Sequence, residues 1–260
     1  MAMNIGRYYE RDYFKFDYTK QKDILQKIRS DDKLDRYMTE FEGVEQGRSA
    51  NLLQQKFKDY KDYIRFLKVE SANTTIRLKT LYPGLLIGAG SSHECGIKHE
   101  FKLGLSFDYT TGLPYIPASS VKGVLRSVFP SKNDKYKSEK RELLQEYFTY
   151  HKIEEDIEEF EKRIFEKRKN IFFDAYIEDA ENDKFLEEDF ITPHGDNLFK
   201  DPVPLRFIKI ASGVTINFQF GLEEKNREKV KALFQNILLD IGIGAKTNVG
   251  YGQFEEVEKG

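Results

Sequence analysis

The stretch Gly112-Leu-Pro-Tyr-Ile-Pro-Ala-Ser-Ser-Val-Lys-Gly-Val-Leu-Arg126 decides how the chain is interpreted, because its pattern changes from extended to helical. Pro114 and Pro117 favour an extended approach, since proline fixes φ and biases the preceding residue away from the helical region. Apolar residues then recur at helical spacing, namely Val121, Val124, Leu125 and Val128. We therefore predict a helix whose first turn is capped by the hydroxyl of Ser119 or Ser120.

The polar side of this predicted helix has the composition of an anion site. Lys122 and Arg126 are four residues apart and share a face away from the apolar stripe. Gly123 lies near that face, although a glycine inside a helix costs about 1 kcal/mol relative to alanine. Such a cost is better tolerated where another molecule approaches the backbone. With Ser119 and Ser120, these residues indicate an anion-binding site. An ordinary amphipathic helix with solvated basic residues is the alternative.

A glycine-rich stretch, Gly242-Ile-Gly-Ala-Lys-Thr-Asn-Val-Gly-Tyr-Gly252, follows an apolar helix pattern over 226–241 and precedes a short strand pattern. It is not a nucleotide-binding P-loop, because Ala245 and Asp240 occupy the positions where that motif requires glycine. We exclude an ATPase on that ground. Glycines still let backbone N–H groups approach a phosphate chain, which predicts an anion-binding loop. Its candidate residues are Gly242, Gly244, Ala245, Lys246, Thr247 and Gly250. A helix C-cap followed by a β-bulge is the alternative.

Composition limits the possible functions. The 260 residues suffice for a large core, with 39% hydrophobic and 33% charged residues. The net charge of −2 means that any RNA affinity must come from a local patch. Cys95 is the only cysteine, so neither an intrachain disulfide nor a cysteine-based metal cluster is possible. No apolar run approaches the roughly 20 residues of a membrane span, and Met1–Asp12 lacks a signal-peptide core. We expect a cytoplasmic protein without a cofactor and without a membrane partner.

The remaining segments define the expected organisation. We divide the chain into a helical N-terminal extension over 1–74 and a main domain over 75–260, with an insertion over 131–170. The insertion contains 22 charged residues among 40, of both signs, which favours a solvated helical excursion over a phosphate groove. Alternating apolar residues over 204–222, with Ser212-Gly213 between the two runs, predict a β-hairpin.

The stretches 112–126 and 242–252 together resemble the RAMP superfamily of CRISPR-associated proteins, and 242–252 is similar to the glycine-rich loop that defines the superfamily. Three further stretches resemble the family of the sixth subunit of type III-B Cmr effector complexes; they are Phe172-Phe-Asp-Ala-Tyr176, Ile191-Thr-Pro-His194 and Pro202-Val-Pro-Leu-Arg-Phe207. The resemblance covers about residues 75–257. Ala118 departs from the family, which often has glycine there.

This resemblance implies an α+β fold of the ferredoxin-like, RRM-related type. It also implies a non-catalytic backbone subunit in antiviral defence, which binds guide RNA (crRNA) toward its 3′ end and contacts other Cmr effector-complex subunits. By the same resemblance, a different subunit cuts target RNA. The alternative is a metal-independent, guide-RNA-processing endoribonuclease of the same superfamily. Such an enzyme needs a general base, most often histidine, and His93 and His194 in polar loops are the candidates for that site. A loop histidine that makes a structural or backbone bond is the favoured interpretation of both positions, because neither lies in a spacing that marks a catalytic set.

Overall fold

The computed structural model describes residues 3–5, 46–88, 101, 105–131, 134–191, 204–223 and 225–257. The strands are β1 Thr74–Thr80, β2 Tyr115–Ile116, β3 Ile171–Phe172, β4 Ala175–Ala180, β5 Leu186–Ile191, β6 Leu205–Ile210, β7 Val214–Gly221 and β8 Phe254–Glu256. The α-helices are α1 Ala118–Ser127, α2 Lys137–Tyr150, α3 Ile157–Glu161 and α4 Arg227–Ile241. A π turn, Lys162–Glu166, continues α3. Residues 46–53 are helical, and Phe57–Phe66 forms a 3-10 helix. None of the helices in these ranges is long and apolar enough to cross a bilayer.

The main sheet is antiparallel, with the order β2-β4-β7-β1-β8, and β3 pairs with β7 beyond the start of β4. The chain therefore passes through α1 between β1 and β4, and through α4 between β7 and β8. Alternate residues of β7 face the helices, and the ring of Phe220 lies 5.4 Å from that of Phe234 in α4. Ile76 and Leu78 of β1 pair with Phe218 and Ile216 of β7 on the same face. The alternation of apolar and polar residues in β1 thus buries one face of the strand.

Protein side chains occupy much of the other face of this sheet. Arg77 pairs with Glu178, and the ammonium of Lys79 lies 2.7 Å from Glu255. Gln219 accepts the N–H of Val69 at 2.9 Å and also donates to the carbonyl of Leu67. The 3-10 helix packs nearby, with the rings of Phe57 and Tyr60 at 5.8 Å and 5.6 Å from that of Phe185. Residues preceding β1 therefore share the main core.

The predicted hairpin over 204–222 is wrong, because β6 and β7 belong to different sheets. β6 pairs with β5 in a two-stranded sheet, whereas β7 pairs with β1 and β4. The separation occurs at Gly213, which has φ +76° and donates its N–H to the carbonyl of Thr80 at 2.8 Å. The Thr80 hydroxyl also bonds the Ala211 carbonyl at 2.8 Å and accepts the Val214 N–H at 3.0 Å. These bonds direct the chain out of the β5–β6 sheet and place β7 beside β1.

The charge-dense insertion is helical as predicted, but its description as a solvated excursion is wrong. Its apolar residues join the main core, including Leu144, Phe148, Phe160, Ile164 and Phe165. Phe160 stacks on Phe129, which follows α1, at a ring distance of 6.0 Å. The charged residues form a shell over this aromatic layer. Within that shell, Arg163 is nearly buried and donates to Glu155 at 2.7 Å.

Candidate nucleic-acid interface

A groove of about 700 Å³ separates α1 from the glycine loop over 242–252. The helix contributes Ser120, Gly123, Val124 and Ser127 to its wall. The loop contributes Gly242, Ile243, Gly244, Ala245 and Thr247, and the remaining lining residues include Ile87, Gly88 and Ser106. The two stretches predicted to bind an anion therefore face one another. Ser120, Gly123, Gly242, Gly244, Ala245 and Thr247 are the predicted residues that the groove brings together.

Gly123 has no packing role in the folded chain. It is exposed, and a Cβ added to it would meet nothing within 4 Å. The helix therefore carries the conformational cost of an interior glycine although alanine would fit. Its bare backbone faces the open groove, which allows a ligand chain to approach the helix closely.

Unlike Gly123, the glycines of the loop are required by close contacts within the protein. Gly242 ends α4 with φ +71°, and a Cβ there would lie 2.5 Å from the carbonyl oxygen of Gly252. A Cβ on Gly244, whose φ is +101°, would lie 2.5 Å from the carbonyl oxygen of Leu86. On Gly252 it would overlap the carbonyl of Ile243. The helix-cap alternative thus accounts for these glycines through contacts within the protein, whether or not a phosphate lies beside them.

Part of the loop's backbone is already hydrogen-bonded. Ala245 donates its N–H to the carbonyl of Leu86 at 2.8 Å, and Gly250 donates to that of Thr247 at 3.1 Å. The N–H of Gly252 donates to the carbonyl of Gly84 at 2.8 Å. The loop is therefore fixed along the segment 84–86 and offers fewer backbone donors than expected. To a ligand, the loop presents small residues, the side chain of Thr247 and the exposed Lys246 at its tip.

A buried polar cluster holds the far end of the loop. The Tyr251 hydroxyl donates to Asp189 of β5 at 2.7 Å, and the ammonium of Lys209, which is 3% exposed, reaches the same carboxylate oxygen at 2.7 Å. Burial alone would raise the pKa of Asp189. The bonds from Lys209 and Tyr251 outweigh that effect, so the pKa lies below its ordinary value of 3.8. The glycine loop is thereby fixed to the β5–β6 sheet as well as to 84–86.

Neither Ser119 nor Ser120 caps α1, which corrects the prediction. The helix begins at Ala118, before both serines, because Pro117 supplies the extended residue that precedes it, with φ −57° and ψ 139°. The first free N–H, that of Ala118, donates to the carboxylate of Asp174 at 2.7 Å. A negative charge from the β3–β4 connection therefore takes the place predicted for an anionic ligand at the helix end. Ser119 and Ser120 line cavities on two different sides of the helix.

Lys122 and Arg126 do not line the groove. Arg126 donates to Glu161 and Glu166 of the insertion, both at 2.9 Å. These bonds, led by the one to Glu161, raise the pKa of its guanidinium. The ammonium of Lys122 lies 5.7 Å from the ring centroid of Phe172 and borders a second cavity. Of the two basic residues predicted to share an anion-binding face, Arg126 therefore forms ion pairs within the protein and Lys122 borders a separate cavity.

The remaining differences between sequence and structure concern the two predicted histidines and several groove residues outside the predicted set. His93 and His194 lie outside the described residues. Ser127 is absent from the predicted set, although its spacing from Ser120 and Gly123 places it on the same helix face, a signal present in the sequence. Ile87, Gly88 and Ser106 come from irregular segments, where no periodicity points to them.

An antiparallel sheet with two helices on one face, and a glycine-rich loop that forms a groove with the first helix, defines the class of protein. The chain belongs to the RAMP superfamily, whose family model matches residues 77–255. It is similar to the CRISPR system CMR subunit Cmr6 of Saccharolobus solfataricus, with 30% identity over 216 residues, covering 80% of this chain and 67% of that protein. The Cmr6 subunit of Pyrococcus furiosus is 26% identical over 264 residues, covering 80% and 74%.

A solved structure supports the same relationship. The chain resembles a chain of the type III-B Cmr-beta complex bound to cognate target RNA, determined by cryo-EM, with 25% identity and a TM-score of 0.55. The match covers 87% of this chain and 73% of that one. The predicted resemblance to the superfamily and to the sixth Cmr subunit is confirmed, as is a mixed fold of helices and antiparallel sheet.

Proposed function

We propose that this chain is an RNA-binding backbone subunit of a type III-B CRISPR effector complex in antiviral defence. It binds guide RNA, toward the 3′ end of that RNA, in the groove between α1 and the glycine loop, and it contacts neighbouring subunits. The observation that carries this proposal is the exposed Gly123, which keeps the helix backbone bare opposite the glycine loop without any packing reason. The names of the Cmr6 relatives supply the type of complex.

We infer a ferredoxin-like core from the connectivity. The central strand order β4-β7-β1-β8, with α1 joining β1 to β4 and α4 joining β7 to β8, has the two interleaved βαβ units of that fold. In RRM proteins, aromatic residues on the open sheet face stack on bases. Here ion pairs such as Arg77–Glu178 and the contacts of Gln219 occupy that face. This favours the groove over the sheet as the RNA surface.

We further propose that the subunit is not an enzyme and acts in the cytoplasm. Among the described residues that line the groove, none has a titratable side chain, so the groove wall itself supplies no general acid or base to an RNA held there. The superfamily alternative, a guide-processing endoribonuclease, would have to draw on groups such as His93 or His194. Incubating the purified chain with repeat RNA in EDTA tests this point. Site-specific cleavage would overturn the non-catalytic assignment.

Binding of RNA by the groove is tested with the variant Gly123→Glu, alone and within the reconstituted complex. Filter binding of labelled guide RNA should show a clear loss of affinity, because a carboxylate would then face the phosphate chain. The side chain has open space, so the protein should remain folded. Wild-type affinity in a folded Gly123→Glu protein would remove the groove from the RNA site.

A further inference from the structure

A second cavity of about 380 Å³ lies against the other side of α1. Ser119 and Lys122 border it from the helix, and Lys167, Arg168 and Phe172 border it from the end of the insertion and β3. Lys167 and Arg168 are exposed, and Lys122 is half-buried. Three cationic side chains therefore surround one recess in a protein whose net charge is −2.

The charges of the insertion are separated along the sequence. Residues 154–161 contain six acidic residues and no basic one, whereas residues 162–169 contain five basic residues and one acidic residue. The basic block follows α3 and forms the π turn and the wall of the cavity. The balanced composition of the whole insertion therefore conceals a local excess of positive charge.

Most of the nearby carboxylates are already engaged. Glu166 also borders the cavity, but it accepts from Arg126. Glu155 is paired with Arg163, and Glu223 lies 3.0 Å from Lys169. Within the described ranges, no ion pair neutralises Lys122, Lys167 or Arg168. In the same ranges, the carboxylate of Asp174 is bonded only to the neutral N–H of Ala118 at the start of α1, so against three cations the cavity retains a net positive charge where an anionic ligand would be stabilised.

We propose that this cavity is a second phosphate-binding site. The RNA leaves the groove, crosses the first turn of α1 and continues into the cavity. The inference rests on the proposed function and extends it to the insertion. Ser120 borders the groove and its neighbour Ser119 borders the cavity, so a strand that crosses the first turn passes directly from one to the other. Lys offers phosphate a point charge and Arg a planar fork of donors, a combination suited to a phosphodiester chain.

The test compares Lys167→Ala/Arg168→Ala with the control Lys135→Ala/Lys137→Ala. Both double variants remove two exposed cations from the insertion, but Lys135 and Lys137 do not border the cavity. Guide-RNA affinity is measured against salt concentration on the full chain in the complex. Losing two phosphate contacts should lower the log–log salt slope by about 1.4, which corresponds to about 25-fold weaker binding at 0.1 M salt. The control should retain the wild-type slope.

The outcomes distinguish this site from the groove. If Gly123→Glu weakens binding while Lys167→Ala/Arg168→Ala does not, the cavity proposal fails and the proposed function stands. If the cavity variant alone weakens binding, the cavity is supported and the groove is not. Equal losses in the cavity variant and its control indicate bulk charge and overturn the site. Unchanged RNA affinity with reduced incorporation into the complex would also overturn it, in favour of a protein contact.

Discussion

Replacing Gly123 should move stability and RNA affinity in opposite directions. Alanine at this interior helix position removes the conformational cost of glycine and meets no neighbouring atom within 4 Å. The free energy of unfolding should therefore rise by about 1 kcal/mol. For a chain of this size, that gain corresponds to an increase in Tm of about 2–4 °C. The same methyl group narrows the groove that the proposal assigns to RNA, so affinity should fall while stability rises.

Gly123→Glu sharpens the contrast. A carboxylate within about 4 Å of a phosphate costs about 1 kcal/mol even in water and more in a partly enclosed groove, so Kd should rise at least about fivefold. Gly47 supplies the matched control, because it is also exposed, helical and free of neighbours within 4 Å of an added Cβ, but does not line the groove. Gly47→Ala should raise Tm and leave RNA affinity at the wild-type value. Gly47→Glu should also leave that affinity unchanged.

The assays are thermal unfolding followed by circular dichroism and filter binding of guide RNA at several salt concentrations. A higher Tm with unchanged affinity in Gly123→Ala, together with normal binding by Gly123→Glu, would refute the assignment of the groove to RNA. A lower Tm in Gly123→Ala would refute the conclusion that nothing packs against this position.

Three further predictions concern the elements around the groove. Gly252→Ala should lower Tm by several degrees, because φ is +69° and the added Cβ overlaps a backbone carbonyl, and the protein that remains folded should bind RNA normally; a normal Tm would contradict the internal role of this glycine. Asp174→Ala should cost about 1 kcal/mol of unfolding free energy by leaving the N–H of Ala118 without its carboxylate, whereas Asp174→Asn should retain most of the stability; equal losses in thermal melts would argue against a cap. Lys209→Met should cost about 2 kcal/mol by removing a charged hydrogen-bond partner from the partly exposed carboxylate of Asp189, which keeps its bond from Tyr251. Because the pKa of Asp189 is depressed in the folded state, its ionised carboxylate stabilises the fold at pH values above the ordinary pKa of 3.8, and this stabilisation is lost as pH falls through the folded-state pKa. The free energy of unfolding, measured with urea between pH 2 and 7, should therefore depend less steeply on acid pH in the variant.

Periodic features are predictable from the sequence because they depend on neighbouring residues. The alternation of β1, the apolar stripe of α1 and the amphipathic α4 each follow from spacing alone. The position of the glycine loop in the chain also follows from the sequence, whereas its meeting with α1 is known only from the structure. What spacing cannot supply is the reason for the glycines, because the backbone of Leu86 that excludes a side chain at Gly244 lies far away in the sequence.

The incorrect predictions all involve partners distant in the chain. The carboxylate that bonds the start of α1 belongs to Asp174, 56 positions after Ala118. No local sequence pattern indicates that this carboxylate, and not a serine hydroxyl, bonds the end of the helix. Arg126 fits a phosphate face by spacing alone, but its two glutamates belong to the insertion, whose position over α1 depends on aromatic packing. The β7 strand has a suitable neighbour in β6, but its partners in space are β1 and β4, which lie much earlier in the chain.

The insertion contains two kinds of position, namely buried aromatic residues that the fold requires and exposed charged residues that tolerate substitution. Phe160 stacks on Phe129, and Phe165 lies 5.6 Å from Phe172 and 6.3 Å from Phe234, so these rings belong to the same cooperative core as the sheet. Each buried ring contributes about 2–3 kcal/mol, which makes substitution at these positions costly. The exposed charges above them contribute little individually. During evolution the surface can therefore exchange acidic for basic residues, and with them its binding partners, while the fold stays constant.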